Sequence, residues 1–400
     1  MLPVAEIADA VGTPVYVYDA DLVRSRIERL ERALADTPHR VCYAVKANDA
    51  LALLRIAAEA GLGAEIVSGG ELFKAVAAGF SGERIVFDGV GKRAVEIRAA
   101  LEAGVRSINI ESLGELDVVA AEAASLGLVA PVSVRLNPDV EADTHAYVKT
   151  GSARSKFGLG VVQALEAYRR SAADPVLEPV GISVHVGSQL LEPDPVFTAA
   201  ERAAGLWREL ESEGIALRDL DAGGGLGVAY AGGDEVDVEA YAARLGALAR
   251  ELGATLVLEP GRWLVAEAGT LVTRVLYVKD APGRRIAVCD GGMNDLIRPA
   301  LYGAHHPIGL VGGADGRSEG AVDVVGPICE SGDFFALGRE LPLPEPGDLL
   351  AVGFAGAYSR VMSSTYNAHP LCAEVLVEGG RWRLIRERGT LDDLLRGELA

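Results

Sequence analysis

The chain has 400 residues, half of them hydrophobic and 24% charged, so it can bury a large core and form more than one domain. Its formal net charge of −19 argues against the basic surface that nucleic-acid backbones require, so we expect no nucleic-acid partner, although a local basic pocket for a small anion is compatible with it. The sequence has neither an apolar run near the roughly 18 residues of a membrane helix nor a signal-peptide pattern at its start. We therefore predict a cytoplasmic protein without a membrane partner.

The cysteines are scattered and none forms a C-x-x-C pair, which argues against a disulfide framework and against a structural metal site. They are Cys42, Cys289, Cys329 and Cys372. We expect no metal.

A strand at residues 14–18 and a helix at 22–34 are predicted before the main repeat of the chain. Short β-rich runs then begin near residues 41, 64, 84, 107, 131, 181, 217 and 255, and Ala/Leu/Glu-rich helical patterns follow most of them. Eight strand–helix units in order predict an α/β fold, the (β/α)8 TIM barrel, whose functional residues lie at the C-terminal ends of the strands. Those ends carry Lys46, Ser68, Asp88, Glu111, Asn137, His185, Gly223 to Gly225 and Glu259 to Arg262.

Two of the helices begin with an S-x-x-E capping pattern, Ser68 to Glu71 and Ser112 to Glu115. A long polar segment, residues 139–160, interrupts the repeat after the fifth strand. Long polar loops at the active face of a barrel are more often functional than accidental.

After Arg262 the pattern changes to β runs separated by Gly and Pro, ending in a predicted hairpin whose turn is Glu378 to Arg381. The runs are 270–278, 286–289, 321–325, 348–352, 373–377 and 382–385. We predict a barrel of residues 22–265 and a C-terminal β-domain of residues 266–400, completed by the N-terminal strand in residues 1–21.

Lys46 ends the first barrel strand, where desolvation favours the neutral amine that can form a Schiff base. A structural lysine paired with a carboxylate such as Glu111 fits the same position. Glycine-rich turns follow the seventh strand (residues 223–227) and the eighth (259–262), the usual phosphate site of such barrels. Together these features favour a pyridoxal phosphate enzyme, although each turn alone is also compatible with a tight loop.

Glu259 would hold a pyridine nitrogen protonated, and the flat ring of His185 would stack on a cofactor while Ser188 reaches its phosphate. The sequence is also compatible with a barrel ion pair for Glu259 and a buried core position for His185. In the β-domain, Cys329 and Glu330 lie in a Gly/Pro-rich turn, where a thiol is exposed and available as an acid.

A series of motifs resembles the diaminopimelate decarboxylase family from about residue 12 to residue 398. The motifs, in chain order, are YAVKAN, ESLGEL, RLNPD, THAYVKTG, SKFG, HVGSQ, DAGGGLGVAY, EPGR, DGGMNDLIRPALYG, VVGPICESGD and SSTYN. The resemblance implies a fold-type III pyridoxal 5'-phosphate enzyme with an alanine-racemase-like barrel and a β-domain.

Carried over by motif, the resemblance implies that Lys46 is the Schiff-base lysine and Cys329 the proton donor. It implies cofactor-binding roles for Lys46, His185, Ser188, Gly225, Glu259, Gly261, Arg262 and Tyr366. It implies substrate contacts by Arg262, Arg298, Tyr302, Glu330 and Tyr366. Because Cys329 and Glu330 reach the neighbouring subunit's site in this family, it also implies a homodimer.

The implied reaction is decarboxylation of meso-2,6-diaminopimelate to L-lysine, the last step of lysine biosynthesis. Arg298 and Glu330 suit the carboxylate and the ammonium at the far end of this substrate, whereas ornithine-type relatives typically carry Cys-Asp where this chain has Cys329-Glu330.

Some positions depart from the family pattern. Ser183 replaces a frequent histidine, and residues 359–362 and 368–370, which flank Tyr366, differ from the usual Gly-Phe-Ser-Met and Ser-Arg-Pro. A related decarboxylase acting on another diamino acid or a carrier-bound amino acid is therefore a second hypothesis for the function. Two less favoured hypotheses are a racemase, which would need a tyrosine base, and a non-enzymatic protein, either a carrier of the cofactor or a catalytically inactive regulator.

Overall fold

The computed structural model describes residues 2–140, 151, 155–313 and 316–399. The chain divides into two compact units. The barrel unit comprises Arg24–Val228 and Asp234–Trp263, and the sheet unit comprises Met1–Val23, Ala229–Gly233 and Leu264–Ala400. Most of the polar segment predicted at 139–160 lies outside the described residues.

The strands, in chain order, are β1 (Val15–Asp19), β2 (His39–Ala44), β3 (Gly63–Ile66), β4 (Ile85–Phe87), β5 (Ser107–Ile110), β6 (Ala130–Arg135), β7 (Leu177–Ser183), β8 (Asp219–Asp221), β9 (Thr255–Leu258), β10 (Gly269–Ala281), β11 (Arg284–Cys289), β12 (Ile308–Leu310), β13 (Glu319–Val325), β14 (Phe334–Pro342), β15 (Leu349–Val352), β16 (Ala373–Glu378) and β17 (Arg381–Arg386).

The α-helices are α1 (Val4–Val11), α2 (Ala20–Ala33), α3 (Leu51–Glu59), α4 (Gly69–Ala78), α5 (Ala94–Ala103), α6 (Leu113–Leu126), α7 (Val161–Ala173), α8 (Asp194–Ser212), α9 (Val238–Leu252), α10 (Arg262–Val265), α11 (Arg298–Tyr302) and α12 (Leu391–Leu394). In the ranges that the structure describes, no helix is long and apolar enough to cross a membrane.

The barrel is formed by strands β2 to β9, which pair in parallel in chain order, and β9 pairs with β2 to close the ring. This confirms the predicted (β/α)8 fold. The strands are short and buried on both faces, as expected of parallel strands enclosed by helices. All eight strand C-termini therefore point to one end of the barrel, where the candidate site residues follow them.

The two predicted serine caps are present at the starts of α4 and α6, but the glutamate of each motif bonds a different amide from the one expected. Ser68 accepts the amide of Glu71 at 3.2 Å, and Ser112 accepts the amide of Glu115 at 3.1 Å. Each glutamate carboxylate bonds the amide one residue before the serine, not that of the serine itself. The cap therefore also fixes the last residues of the preceding loop.

The sheet unit contains a mixed sheet with the order β14-β13-β11-β10-β1-β16-β17, and β15 pairs with β10 and β12. The N-terminal strand β1 lies between β10, to which it is antiparallel, and β16, to which it is parallel. This confirms a β-domain completed by the N-terminal strand. The predicted hairpin is present as β16 and β17.

Two strands of this unit, β12 and β14, were not predicted. In β14 the burial does not alternate regularly, and the register against β13 shifts twice, so the period-two signal is lost.

Candidate active site

Lys46 lies in one turn of 3-10 helix, Val45–Ala47, directly after β2. Its Nζ donates to Oε1 of Glu65 on β3 at 2.5 Å. The lysine side chain is one-third exposed, whereas the carboxyl group of Glu65 is fully buried. Lys46 is therefore paired with a carboxylate, but the partner is Glu65 and not Glu111.

Glu111 has other partners. It accepts Nη1 of Arg135 at 2.9 Å and the backbone amide of Gly158 at 2.9 Å. This buried ion pair between Glu111 and Arg135 connects the ends of β5 and β6. Lys46 pairs instead with Glu65 on β3, the strand next to its own.

A group of buried carboxyls lies inside the barrel around Lys46: Glu65, Asp88, Asp221 and Glu259. One oxygen each of Glu65, Asp88 and Glu259 lies within 4.8 Å of the other two. Burial, followed by the charge of Asp221, raises the pKa of Glu259 well above its ordinary value. Burial likewise raises the pKa of Glu65, against the opposing effect of Lys46. Burial therefore disfavours the ionised forms of Glu65 and Glu259, and at Glu65 the adjacent Lys46 ammonium opposes this effect.

Glu259 directly follows β9, and its Oε1 is buried without a hydrogen-bond partner among the described residues. Its carboxyl group hydrogen-bonds that of Asp221 on β8. A buried acceptor without a partner is costly unless a ligand supplies a donor. The site at Glu259 thus suits a cationic N–H group.

The glycine turn after β8 is held in place by neighbouring side chains. Oδ1 of Asp221 accepts the amide of Gly223 at 2.8 Å, and Nδ1 of His185 accepts the amide of Gly224 at 3.2 Å. Gly225 has φ +115°, a conformation that other residues rarely adopt, and an added Cβ would lie 2.9 Å from the carbonyl oxygen of Gly187.

Burial, followed by the charges of Arg135 and Lys46, lowers the pKa of His185 well below its ordinary value. Because Nδ1 accepts a hydrogen bond, the neutral ring carries its proton on Nε2. His185 is thus a neutral imidazole with a fixed tautomer.

Arg262 begins α10 after the turn that follows β9, and its Nη2 donates to Oγ of Ser188 at 3.0 Å. At Gly261, an added Cβ would lie 2.8 Å from Cβ of Ala47 and 3.0 Å from Cβ of Ala44. Glycine at 261 therefore allows this turn to pack against the Lys46 turn. The guanidinium and hydroxyl groups together form a donor pair suited to an anion.

In the sheet unit, the predicted turn brings Cys329, Glu330 and Tyr366 together. The amide of Cys329 donates to Oδ1 of Asn367 at 2.8 Å, and Oη of Tyr366 donates to Oε2 of Glu330 at 3.1 Å. Cys329, Glu330 and Tyr366 are exposed on this chain, so the thiol and carboxylate are accessible. The hydrogen bond to Glu330 raises the pKa of Tyr366.

Asp333 closes the same turn from within the sheet unit. Its carboxylate accepts the amides of Met293 and Ile328, both at 2.6 Å. The other predicted substrate residues of this unit, Arg298 and Tyr302, are the first and last residues of α11, and Arg298 is buried.

Sequence reasoning missed Glu65 and Asp221, which contact Lys46 and Glu259. The available signal was an acidic residue inside a strand that is otherwise small and apolar, as in Gly63–Ile66. A buried charge in such a strand needs a partner and is a candidate for function.

Comparison with known proteins agrees with this arrangement. The family described as "Pyridoxal-dependent decarboxylase, pyridoxal binding domain" matches residues 20–266. Diaminopimelate decarboxylase of Neisseria meningitidis is 46% identical over 399 residues, covering 100% of this chain and 98% of the relative. The Pseudomonas fluorescens enzyme of the same name is 47% identical over 398 residues, covering 98% of this chain and 94% of the relative.

Among solved structures, diaminopimelate decarboxylase from Helicobacter pylori complexed with L-lysine aligns with a TM-score of 0.95 at 40% identity and 98% coverage of both chains. Similarity of this extent covers both units, not the barrel alone. The chain belongs to the diaminopimelate decarboxylase family of pyridoxal-dependent decarboxylases.

Proposed function

We propose that this protein is a pyridoxal 5'-phosphate-dependent carboxy-lyase that converts meso-2,6-diaminopimelate to L-lysine and carbon dioxide. The observation that carries the proposal is full-length identity of 46% to an enzyme of that name. A structural relative bound to L-lysine, the product of this reaction, supports the same substrate class. The cytoplasmic location predicted from the sequence belongs to this proposal.

The barrel residues fit the cofactor. Lys46 would supply the amine that holds its aldehyde, and Glu259 has a buried acceptor oxygen that suits the pyridine N–H. Ser188, Gly225, Gly261 and Arg262 would hold the phosphate, since the Ser188 hydroxyl and the Arg262 guanidinium lie 3.0 Å apart and the glycines at 225 and 261 leave no room for a side chain. His185 would stack on the ring, and Tyr366 would also contact the cofactor. Bound pyridoxal phosphate supplies an electron sink for the pair left at the α-carbon when carbon dioxide departs.

Glu65 is the group that can move a proton at Lys46. Only a neutral amine is nucleophilic, so the ammonium must lose a proton before it reacts. Oε1 of Glu65 lies 2.5 Å from Nζ of Lys46, and burial raises the pKa of this carboxyl group. Glu65 thus accepts the proton of Lys46 inside the barrel and can return it.

Cys329 returns a proton to the α-carbon after carbon dioxide has left. Its thiol is exposed, and its backbone is tied to Asn367. The turn, closed by Asp333, holds the backbone at Cys329 and leaves its side chain exposed. An accessible, oriented S–H group is what this proton transfer requires.

The far end of the substrate is itself an amino acid, so its recognition needs a cation and an anion. Arg298 binds the carboxylate and Glu330 the ammonium, while Arg262, Tyr302 and Tyr366 make further contacts. Hydrogen bonds to charged groups contribute about 1.5–3 kcal/mol each, or roughly ten- to a hundredfold in discrimination.

A homodimer with shared active sites is part of the proposal. Cys329, Glu330 and Tyr366 are all exposed on the single chain, although each has a role in the reaction. Exposure of the thiol of Cys329 and the carboxylate of Glu330 in one turn supports their use by a neighbouring subunit.

Lys46→Ala tests the cofactor assignment directly. The variant should lose covalent cofactor, measured as the visible absorbance band and as the mass added after borohydride reduction. Lys74→Ala is a matched control, because Lys74 is also one-third exposed and also pairs with a carboxylate, that of Asp49. The control should keep both signals, and an unchanged Lys46→Ala spectrum would refute the assignment.

A further inference from the structure

His306 is a fully buried histidine of the sheet unit that the proposed function leaves without a role. Its Nε2 lies 2.7 Å from Nη1 of Arg298, and its Nδ1 lies 2.9 Å from the carbonyl oxygen of Gly353. The backbone is also fixed, because Nη1 of Arg339 donates to the carbonyl of His306 at 2.9 Å. The imidazole is therefore held on both sides.

The partners determine the protonation of this ring. A guanidinium can only donate a hydrogen bond and a carbonyl oxygen can only accept one. Nε2 of His306 must therefore accept from Arg298, while Nδ1 carries the proton and donates to Gly353. This is the neutral Nδ1–H form, because a doubly protonated ring would direct an N–H group at the Arg298 guanidinium.

Tyr230 completes the support of Arg298. The guanidinium carbon of Arg298 lies 4.6 Å from the centroid of the Tyr230 ring, and the same ring packs edge-on against His306 at 5.3 Å. Both contacts orient the guanidinium, and neither partner carries a negative charge. Neither His306 nor Tyr230 cancels the charge of Arg298, whereas a carboxylate at position 306 would cancel it.

We propose that His306 is a positioning residue for substrate specificity, which holds Arg298 in the orientation that binds the distal carboxylate of the substrate. The inference rests on the proposed function, in which Arg298 binds that carboxylate. Its physical basis is that the buried guanidinium is oriented by a neutral acceptor on one edge and an aromatic face on the other. Loss of the acceptor lets the guanidinium turn away and weakens carboxylate binding selectively.

A pair of ligands that differ only in the distal carboxylate tests this. L-lysine keeps the amino acid end of the substrate that does not react, and cadaverine is the same diamine without the carboxylate. We would titrate the purified holoenzyme with each ligand by calorimetry. The wild-type protein should bind L-lysine at least about tenfold more tightly than cadaverine.

Two substitutions separate positioning from simple packing. His306→Asn can still donate to Gly353 but is too short to reach Arg298, whereas the longer His306→Gln side chain brings a carbonyl acceptor to about the place of Nε2. We expect His306→Asn to weaken L-lysine binding by roughly ten- to a hundredfold and to leave cadaverine binding unchanged. His306→Gln should recover most of the L-lysine affinity.

Three results would overturn the inference, and they differ in what else they affect. If His306→Asn binds L-lysine as tightly as the wild type, His306 does not position Arg298. If both variants bind L-lysine and cadaverine more weakly to the same extent, His306 is only structural. If His306→Asn does not fold, the same loss of affinity for both ligands in His306→Gln alone would lead to that conclusion. If wild-type protein does not prefer L-lysine to cadaverine, the proposed distal-carboxylate site itself is wrong.

Discussion

Asp221→Asn should make the cofactor-free protein less sensitive to alkaline pH. Asp221 is buried in the barrel, where burial, followed by the charge of Asp88, raises the pKa of its carboxyl group to about 8. Asparagine has the same shape, and its carbonyl can still accept the amide of Gly223, which Asp221 now accepts at 2.8 Å. The amide NH2 can also donate to Glu259, so the substitution removes an ionisation with little change in shape.

The sign follows from the protons bound in each state. The carboxyl group of Asp221 ionises near pH 4 in the unfolded chain and near pH 8 in the folded chain. Between these values the folded state holds a proton that the unfolded state has lost, so stability falls as pH rises. Each pH unit costs about 1.4 kcal/mol, so this one group removes about 3 kcal/mol between pH 5.5 and pH 8.5. Between pH 5.5 and pH 8.5, the free energy of unfolding of the variant should therefore fall by about 3 kcal/mol less than that of the wild type.

Urea denaturation of the cofactor-free protein at pH 5.5, 7 and 8.5 measures the difference. Asp219→Asn is the matched control, because Asp219 lies on the same strand and accepts Nη2 of Arg106 at 2.5 Å. The control should lose this ion pair and be less stable than the wild type by about 1–3 kcal/mol. Equal pH dependence in wild type and Asp221→Asn would refute the protonated carboxyl in the barrel.

Two further predictions concern the groups that assist Lys46 and Cys329. Glu65→Gln removes the base that accepts the proton of Lys46. Attachment of added cofactor at pH 7, monitored by visible absorbance, should therefore be at least roughly tenfold slower. An unchanged rate would contradict this role. Asn367→Gly keeps the left-handed backbone of Asn367 (φ 54°) but removes the acceptor for the Cys329 amide, whereas Asn367→Asp keeps it. The glycine variant should react several-fold faster with iodoacetamide at Cys329, and matching rates in the two variants would show that the contact does not hold the turn.

The barrel could be predicted because strand and helix patterns alternate along the sequence and each unit is local. Predicted strand starts near 107 and 255 coincide with the observed starts of β5 and β9. In the sheet unit, pairing is non-local: β1 lies between β10 and β16, which are far away in sequence. The short strand β12 and the irregular strand β14 carry too weak a periodic signal to be found.

The residues of the candidate site could be predicted from the sequence, but the contacts between them could not. The sequence indicated that Lys46, Glu111 and Glu259 lie at strand ends, because strand C-termini carry the chemistry of a barrel. It could not indicate that Lys46 pairs with Glu65, since this depends on which side chains of adjacent strands point inward at the same height. His306 and Arg298 are close in sequence, but their contact depends on the turn after α11, and no sequence motif predicts the shape of that turn.

Carbon dioxide release by the purified protein with pyridoxal phosphate tests the central claim most directly. Meso-diaminopimelate would be compared with its L,L isomer, lysine and ornithine. We expect turnover of the meso isomer alone, with L-lysine as the product, which would show that the departures flanking Tyr366 are tolerated. Cofactor binding without turnover of any of the four, or turnover of a different one, would contradict the assignment and favour a related decarboxylase with another substrate.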